Sequence, residues 1–415
     1  MSRRPAALCA LILMLTLAPG CASASRATDL EARSVDVAAS PGTSPSATDT
    51  DTDTAVVDVS TEASIGWAGP DAVLRTTTGA LDTAPPVDLA FADPCAAGAD
   101  VADHRAALDA LAPDWAAGDL MERIELPDGS ALWIFGDSFL GAVDTGALEP
   151  GWRFVNNTAL RQRGACFELV PGFGGGSWIP SVEADIVLWP QEALVLGDEL
   201  FVFSIRIERD PSHPPGLDFR QVGGLIAVYD LDDLSVPRTM VFDVPDIRGN
   251  PFGWGALVED GFVYAYAHEE PTGTFVARFP VDAVNAPERW TFWDGSGWVP
   301  DHGRAVPVIE RRARVVADGD GYVAFSIPVF ERNLEVWRAP APEGPWSRAF
   351  VVDIEADGAD PDPTVPSWVY EPLVIGDVSE SATVAVNYLP FEPHLIPGQV
   401  ALYGPRFIEV PLAAS

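Results

Sequence analysis

One short unit recurs five times along the chain and limits the fold more than any other feature. Each copy is an apolar segment, a tight Asp/Gly turn and an alternating, aromatic-rich segment. The copies run from Ile124 to Phe135 turning at Asp128-Gly129, from Ala193 to Phe203 at Gly197-Asp198, and from Ala256 to Tyr266 at Asp260-Gly261. Two more run from Val315 to Phe325 around Asp318 to Gly321, and from Leu373 to Val386 at Gly376-Asp377. Asp and Gly between alternating apolar segments signal a hairpin, because both tolerate the positive φ that short hairpin turns require. The turn aspartates at 128, 198, 260, 320 and 377 are 57 to 70 residues apart. That leaves room for two further strands per unit, such as Gly224 to Tyr229 and Thr239 to Val244 in the second. A four-strand period repeated five times predicts an all-β fold, a five-bladed β-propeller of four-stranded antiparallel blades. One short helix is expected, around Ala102 to Leu111.

The first residues read as a processing signal. Arg3 and Arg4 precede a short apolar run from Leu8 to Leu17, too short to span a bilayer, and Ala18-Pro19-Gly20-Cys21 follows. Residues 1–20 are expected to be a signal peptide. Cys21 after Gly20 resembles a lipobox, so Cys21 is the expected lipidation site, with plain cleavage and secretion as the alternative. Residues 21–64 are Ala, Ser, Thr, Asp and Pro in composition, with no Trp or Phe. They are expected to be a disordered linker, because such a segment buries too little to offset its ordering entropy. The propeller domain is expected over 65–415, with a lead-in segment over 65–114.

The charge narrows the partners. The chain has 61 acidic and 25 basic residues, a net charge of −36, and every basic residue other than its 5 histidines is arginine. A field of that sign repels phosphate backbones and anionic membranes, so nucleic acid is excluded as a partner. Membrane contact is expected only through the N-terminal lipid, and the location is the cell envelope, or the extracellular space without the lipid. A monomer is expected. Apart from Cys9 and Cys21 the cysteines are Cys95 and Cys166, which read either as a disulfide in an oxidising compartment or as two buried thiols. The histidines are scattered and read as exposed loop residues, and no metal-ligand spacing occurs. No cofactor is expected beyond calcium held loosely by surface carboxylates.

In a propeller the innermost strands line the central channel and their N-terminal ends converge on one face. Those ends fall near Asp119, Glu192, Trp254, Arg312 and Glu371. The second strand of the first unit returns to the same face and brings Asp137 beside Asp119. Paired carboxylates across a cleft are what glycosidic cleavage requires, one as acid and one as base or nucleophile. The candidate catalytic residues are therefore Asp119, Asp137, Glu192 and Glu371. Trp189 and Trp254 are candidate sugar platforms, and Asn156, Asn157 and Arg312 candidate partners for hydroxyls. Against each stands the plainer role of an aspartate that caps a turn or an aromatic that fills a blade.

The stretch Trp115 to Gly141, with Gly118-Asp119 and then Leu132-Trp133-Ile134-Phe135-Gly136-Asp137-Ser138-Phe139, resembles the opening of a group of secreted bacterial five-bladed propellers. That group was long filed as a domain of unknown function and is similar to arabinanase-type glycoside hydrolases. Val155 to Leu160, Leu188-Trp189-Pro190, Val276 to Pro280, Trp290 to Gly295 and Gly344-Pro345-Trp346 fit the same pattern. The resemblance implies cleavage of a neutral, arabinan-type polysaccharide by axial carboxylates, with Asp119 and Asp137 at the first-blade positions.

Two other functions fit parts of the chain. A non-catalytic surface lipoprotein would use the same funnel to hold a glycan or a protein. A carboxylate with a raised pKa would favour the enzyme, and a funnel plugged by Trp254 or closed by an Arg312 ion pair would favour the binder. Phe135-Gly136-Asp137-Ser138-Phe139 also resembles the nucleophile block of GDS-type esterases, with Ser138 as nucleophile, but that fold needs alternating helices.

Overall fold

Every hairpin expected from an Asp/Gly turn forms, and each supplies the two inner strands of a blade. The computed structural model describes residues 56–58, 108, 114–164, 166–183, 185–212, 218–319, 321–328, 331–357, 360–376, 378 and 380–412. The signal peptide, Cys21, most of the linker, Cys95, nearly all of the expected helix and the turn residues Asp320 and Asp377 lie outside the described residues. Val56–Asp58, within the expected linker, pairs antiparallel with Thr239 to Val241.

The first blade is built from Ala117–Glu125, Ala131–Leu140, Thr158–Arg163 and Cys166–Leu169. The second uses Ile186–Leu196, Glu199–Arg209, Phe219–Asp230 and Thr239–Val244. Gly255–Glu259, Phe262–Glu269, Gly273–Pro280 and Thr291–Trp293 make the third, and Arg314–Asp318, Gly321–Ser326, Asn333–Ala339 and Ser347–Asp353 the fourth. The fifth has three strands among the described residues, Ser367–Ile375, Ser381–Pro390 and Gly404–Pro411. All pairings in these blades are antiparallel. The innermost strands touch in sequence around the ring, first to second, second to third, third to fourth, fourth to fifth and fifth to first. The five-bladed propeller is therefore closed.

Each blade faces two neighbours, so both faces of its middle strands must be apolar. That is why Leu132 to Phe135 and Leu225 to Tyr229 are buried without alternation. One apolar cluster fills each of the five gaps, for instance Leu132, Trp178 and Tyr229 between the first two blades, and Phe203, Phe279 and Trp290 between the next two.

Two polar devices join the blades. Asn387, fully buried in the fifth, accepts a hydrogen bond from Leu120 N at 2.9 Å and donates to Leu120 O at 2.8 Å. It thereby imitates a strand pairing where the first and fifth blades meet. Near the axis, Arg314 of the fourth blade pairs with Glu122 of the first and, at 3.1 Å, with Glu192 of the second. Its guanidinium also donates to Gln191 O at 3.1 Å and to Trp254 O at 2.9 Å. Burial, then the neighbouring Glu192 carboxylate, push Glu122 well above the usual carboxylate range, with the Arg314 charge opposing.

Replacing Arg314 by methionine is expected to destabilise the domain by about 3–5 kcal/mol, since two buried acids then lose their cation. Asn387→Ala is expected to cost about 1–3 kcal/mol through the orphaned Leu120 amide. Urea unfolding of both variants checks this; a loss below about 0.5 kcal/mol for Arg314→Met contradicts the assigned role.

Candidate active site

The first hairpin carries a bulge at Asp119. Gly118 pairs with Ser138 and Leu120 with Phe135, so Asp119 stands opposite two residues, Gly136 and Asp137. The extra residue re-aims the strand, as bulges beside functional sites do. Gly136 leaves room for the first acid, since a Cβ there would lie 2.7 Å from Asp119 Oδ1 and displace that carboxyl. The bulge thus brings two half-buried carboxyl groups together.

Aromatic and amide donors hold them. Trp189 Nε1 donates to Asp137 Oδ1 at 2.9 Å and Asn156 Nδ2 to the same oxygen at 3.2 Å. Tyr370 Oη donates to Asp119 Oδ2 at 3.2 Å, and Tyr403 Oη to the Asp137 carbonyl at 2.9 Å. Asp119 Oδ1 is buried without a hydrogen-bond partner. Desolvation raises Asp119 to about 6, with hydrogen bonds from Tyr403, its own backbone and Tyr370 opposing the rise. Desolvation, then the Asp119 charge, raise Asp137 to about 7, against the lowering effect of Asn156, Trp189 and Arg209. Two coupled acids therefore titrate near neutral pH as a pair.

The remaining axial positions are differently occupied. Arg312 lies over the Trp254 ring at 4.0 Å and pairs with Glu371. Burial pulls its pKa down to about 10, with Glu270 and Tyr370 opposing. Glu371 sits at φ 48, in a second bulge between Tyr370 and Leu373. Trp254 is buried against Ile205 and Ile207. Beneath it His268, expected on an exposed loop, is instead buried, 5.1 Å from the indole. Burial first, then the Arg312 and Arg314 charges, hold His268 well below its ordinary range, so it stays neutral. The reason for the difference is local: His268 falls on an inner-facing strand position, and its Nδ1 is 3.0 Å from Thr274 Oγ1.

Of the residues singled out from sequence, Asp119, Asp137, Asn156 and Trp189 come together. Glu192 lies deeper, against Arg314, and accepts from Ala256 N at 2.9 Å. Glu371, Arg312 and Trp254 form a separate group. Asn157, expected to bind hydroxyls, is fully buried and saturated: it donates to Leu188 O at 2.8 Å and accepts from Ile179 N at 2.6 Å. Its work is to clip the first blade to the second. Ser138 is also fully buried, donating to Gly136 O at 2.8 Å and lying 2.9 Å from Thr158 Oγ1. In this all-β fold it is no esterase nucleophile. Cys166 is disulfide-bonded, which removes the reading of two separate thiols; its expected partner Cys95 lies outside the described residues. Among the described residues no group of three or more His, Cys, Asp or Glu side chains is placed to hold a metal ion.

Tyr370, Tyr403, Glu122 and Arg314 were not singled out in the sequence. Glu122 and Arg314 had a signal, a charge set inside an apolar inner strand (Met121-Glu122-Arg123, Ala313-Arg314-Val315). Tyr403 had none, because it reaches the site from the turn before the last strand.

A family model described as a domain of unknown function, DUF5005, matches residues 109–411. The chain belongs to the DUF5005 family. No curated protein matches it by sequence. Among solved structures, a candidate hydrolase from Bacteroides ovatus ATCC 8483 is similar at 18% identity and a TM-score of 0.58, over 74% of this chain and 88% of that one. A candidate exo-beta-1,3-galactanase from Bifidobacterium bifidum s17 is similar at 13% identity and a TM-score of 0.45, over 73% and 94% of the two chains. A GH43 beta-xylosidase/alpha-arabinofuranosidase from a compost microbial metagenome is similar at 14% identity and a TM-score of 0.44, over 71% and 91%. The likeness is one of fold: this DUF5005 chain shares its propeller fold with the Bacteroides ovatus structure.

The acid pair makes a stability prediction for the DUF5005 domain. Asp137 is raised on folding from an ordinary 3.8 to about 7. Its contribution is therefore fully present below pH 4 and lost as the pH rises through 7. Asp137→Asn is expected to raise Tm relative to wild type at pH 8.5 and to give no such gain at pH 4. Equal offsets at the two pH values in thermal melts would contradict the raised pKa.

Proposed function

We propose that the domain is a glycoside hydrolase acting on a neutral polysaccharide, with Asp119 and Asp137 dividing the chemistry. The observation that carries this reading is the pair itself: two carboxyls at the first-hairpin bulge, raised to about 6 and about 7 and braced by Trp189, Asn156, Tyr370 and Tyr403. Asp137, with the higher pKa, keeps its proton and gives it to the leaving glycosidic oxygen. Asp119 ionises first and serves as nucleophile or base. The half-exposed Trp189 ring offers a face to the sugar while its Nε1 steadies Asp137. Neutral glycan fits the site because Arg312 and Arg314, the cations nearest the axis, are both taken by carboxylates. An arabinan-type polymer is the favoured substrate, as the resemblance implies. In the same proposal the protein is exported and held by lipid at Cys21; a disulfide at Cys166 supports an oxidising compartment.

A second reading, a non-catalytic glycan-binding protein, is favoured by one observation. The axial positions Arg312 and Glu371 form an ion pair on Trp254 in place of a free acid. Reducing-sugar release from arabinans, arabinogalactans and xylans separates the two. The hydrolase predicts release that falls at least about 100-fold in Asp119→Asn and in Asp137→Asn. Its rate should decline below about pH 6 as Asp119 gains its proton and above about pH 7 as Asp137 loses its own. Retention on one of these polymers without release from any would establish the binder.

A further inference from the structure

Two exposed aromatic rings, Trp152 and Phe154, with relative exposures of 38% and 36%, stand beside the acid pair. The strand Arg153–Val155 is laid along the outer end of the strand that carries Asp137, with Phe154 opposite Phe139 and Val155 opposite Ser138. The next residue, Asn156, donates to Asp137. Phe139 is buried and braces both rings from below, with centroids 5.5 Å from Trp152 and 5.3 Å from Phe154. On its other side Phe139 meets Tyr403 at 5.9 Å, and Tyr403 Oη donates to the Asp137 carbonyl. A continuous row of rings therefore runs from Tyr403, bonded to the Asp137 carbonyl, through Phe139 to the exposed Trp152 and Phe154.

Exposed aromatic rings held rigid by a buried neighbour have already met their ordering cost, and their faces suit the apolar C–H face of a sugar. We infer that Trp152 and Phe154 form a distal subsite that stacks the next sugar units of a neutral polysaccharide whose cleaved bond lies at Asp119 and Asp137. This rests on the glycoside hydrolase reading of that pair. The occupant follows from position: a polymer threaded at the acid pair continues along the strand that carries Asp137, and the ledge lies on that strand's edge. The strong net negative charge of the chain argues against an anionic polymer there.

The test compares wild type with Trp152→Ala, Phe154→Ala and, as a control, Phe391→Ala, another exposed aromatic. The substrates are linear arabinan, xylan and arabinogalactan, and the matching one-sugar nitrophenyl glycosides. Loss of one stacking ring is expected to raise KM on the polymer about 5- to 10-fold with kcat within about twofold. The one-sugar substrate, which ends before the ledge, should show a KM rise below about twofold. Gel retardation by the polymer should weaken in parallel, and Phe391→Ala should match wild type. If wild type cleaves the polymer and neither ledge variant moves KM, the subsite is overturned and the hydrolase stands. If wild type binds without cleaving, weakened retardation in the ledge variants upholds the subsite while the catalytic reading falls. If wild type neither cleaves nor is retarded, both fall together.

Discussion

A single guanidinium near the axis governs the rest of the structure. Arg314 belongs to the fourth blade, yet it pairs with Glu122 of the first and Glu192 of the second, and donates to Trp254 O just before the third. A buried arginine is costly unless its charge is matched and its several N–H groups are met. Here both conditions hold, and meeting them fixes four inner strands relative to one another. Lysine, as a single point of charge, has no planar fork with which to reach so many partners. The fifth blade is tied in separately, by Asn387 pairing with Leu120. Leu120 directly follows Asp119, so the contact that closes the ring also seats the first acid.

The same hub sorts the carboxylates by what they are free to do. Glu192 and Glu371 each face an arginine, and their charge is spent on holding blades. Asp119 and Asp137 are braced by neutral donors, with the Arg209 charge last among the influences on Asp137, and their burial turns into raised pKa values near neutrality. Tyr370 and Tyr403 come from the last blade and meet the two aspartates of the first. The site is thus completed only when the two ends of the propeller meet, which couples its chemistry to ring closure. That coupling explains why polar pairings, and not only apolar clusters, stand at the first–fifth boundary.

Much of the fold was legible because it rests on local chemistry. Asp260-Gly261, for example, places both central residues at positive φ, as a tight hairpin turn demands, and the flanking strands follow in register. The placement of Asp119 beside Asp137 was legible too, since antiparallel pairing alone brings those strand ends together. What the sequence hid were the long-range partners. Tyr403 meets Asp137 across 266 positions, and Arg314 meets Glu122 across 192. No periodicity carries such a contact. Asn157 looked like a sugar ligand because a solvated and a saturated asparagine have the same letter; only its bonds to Leu188 and Ile179 tell them apart. His268 likewise has the spelling of a loop, beside Glu269, Glu270 and Pro271, but sits on a strand.

Everything proposed for the site depends on Asp119 and Asp137 titrating as a coupled pair close to neutral pH. Carbon-13 NMR of the aspartate carboxyls, assigned by Asp119→Asn and Asp137→Asn, measures it without any substrate. Two carboxyl resonances are expected to move, near pH 6 and pH 7. The Asp137 midpoint is expected to fall in Asp119→Asn, where the neighbouring charge is gone. Two resonances that both titrate near pH 4, each indifferent to loss of the other, would contradict it.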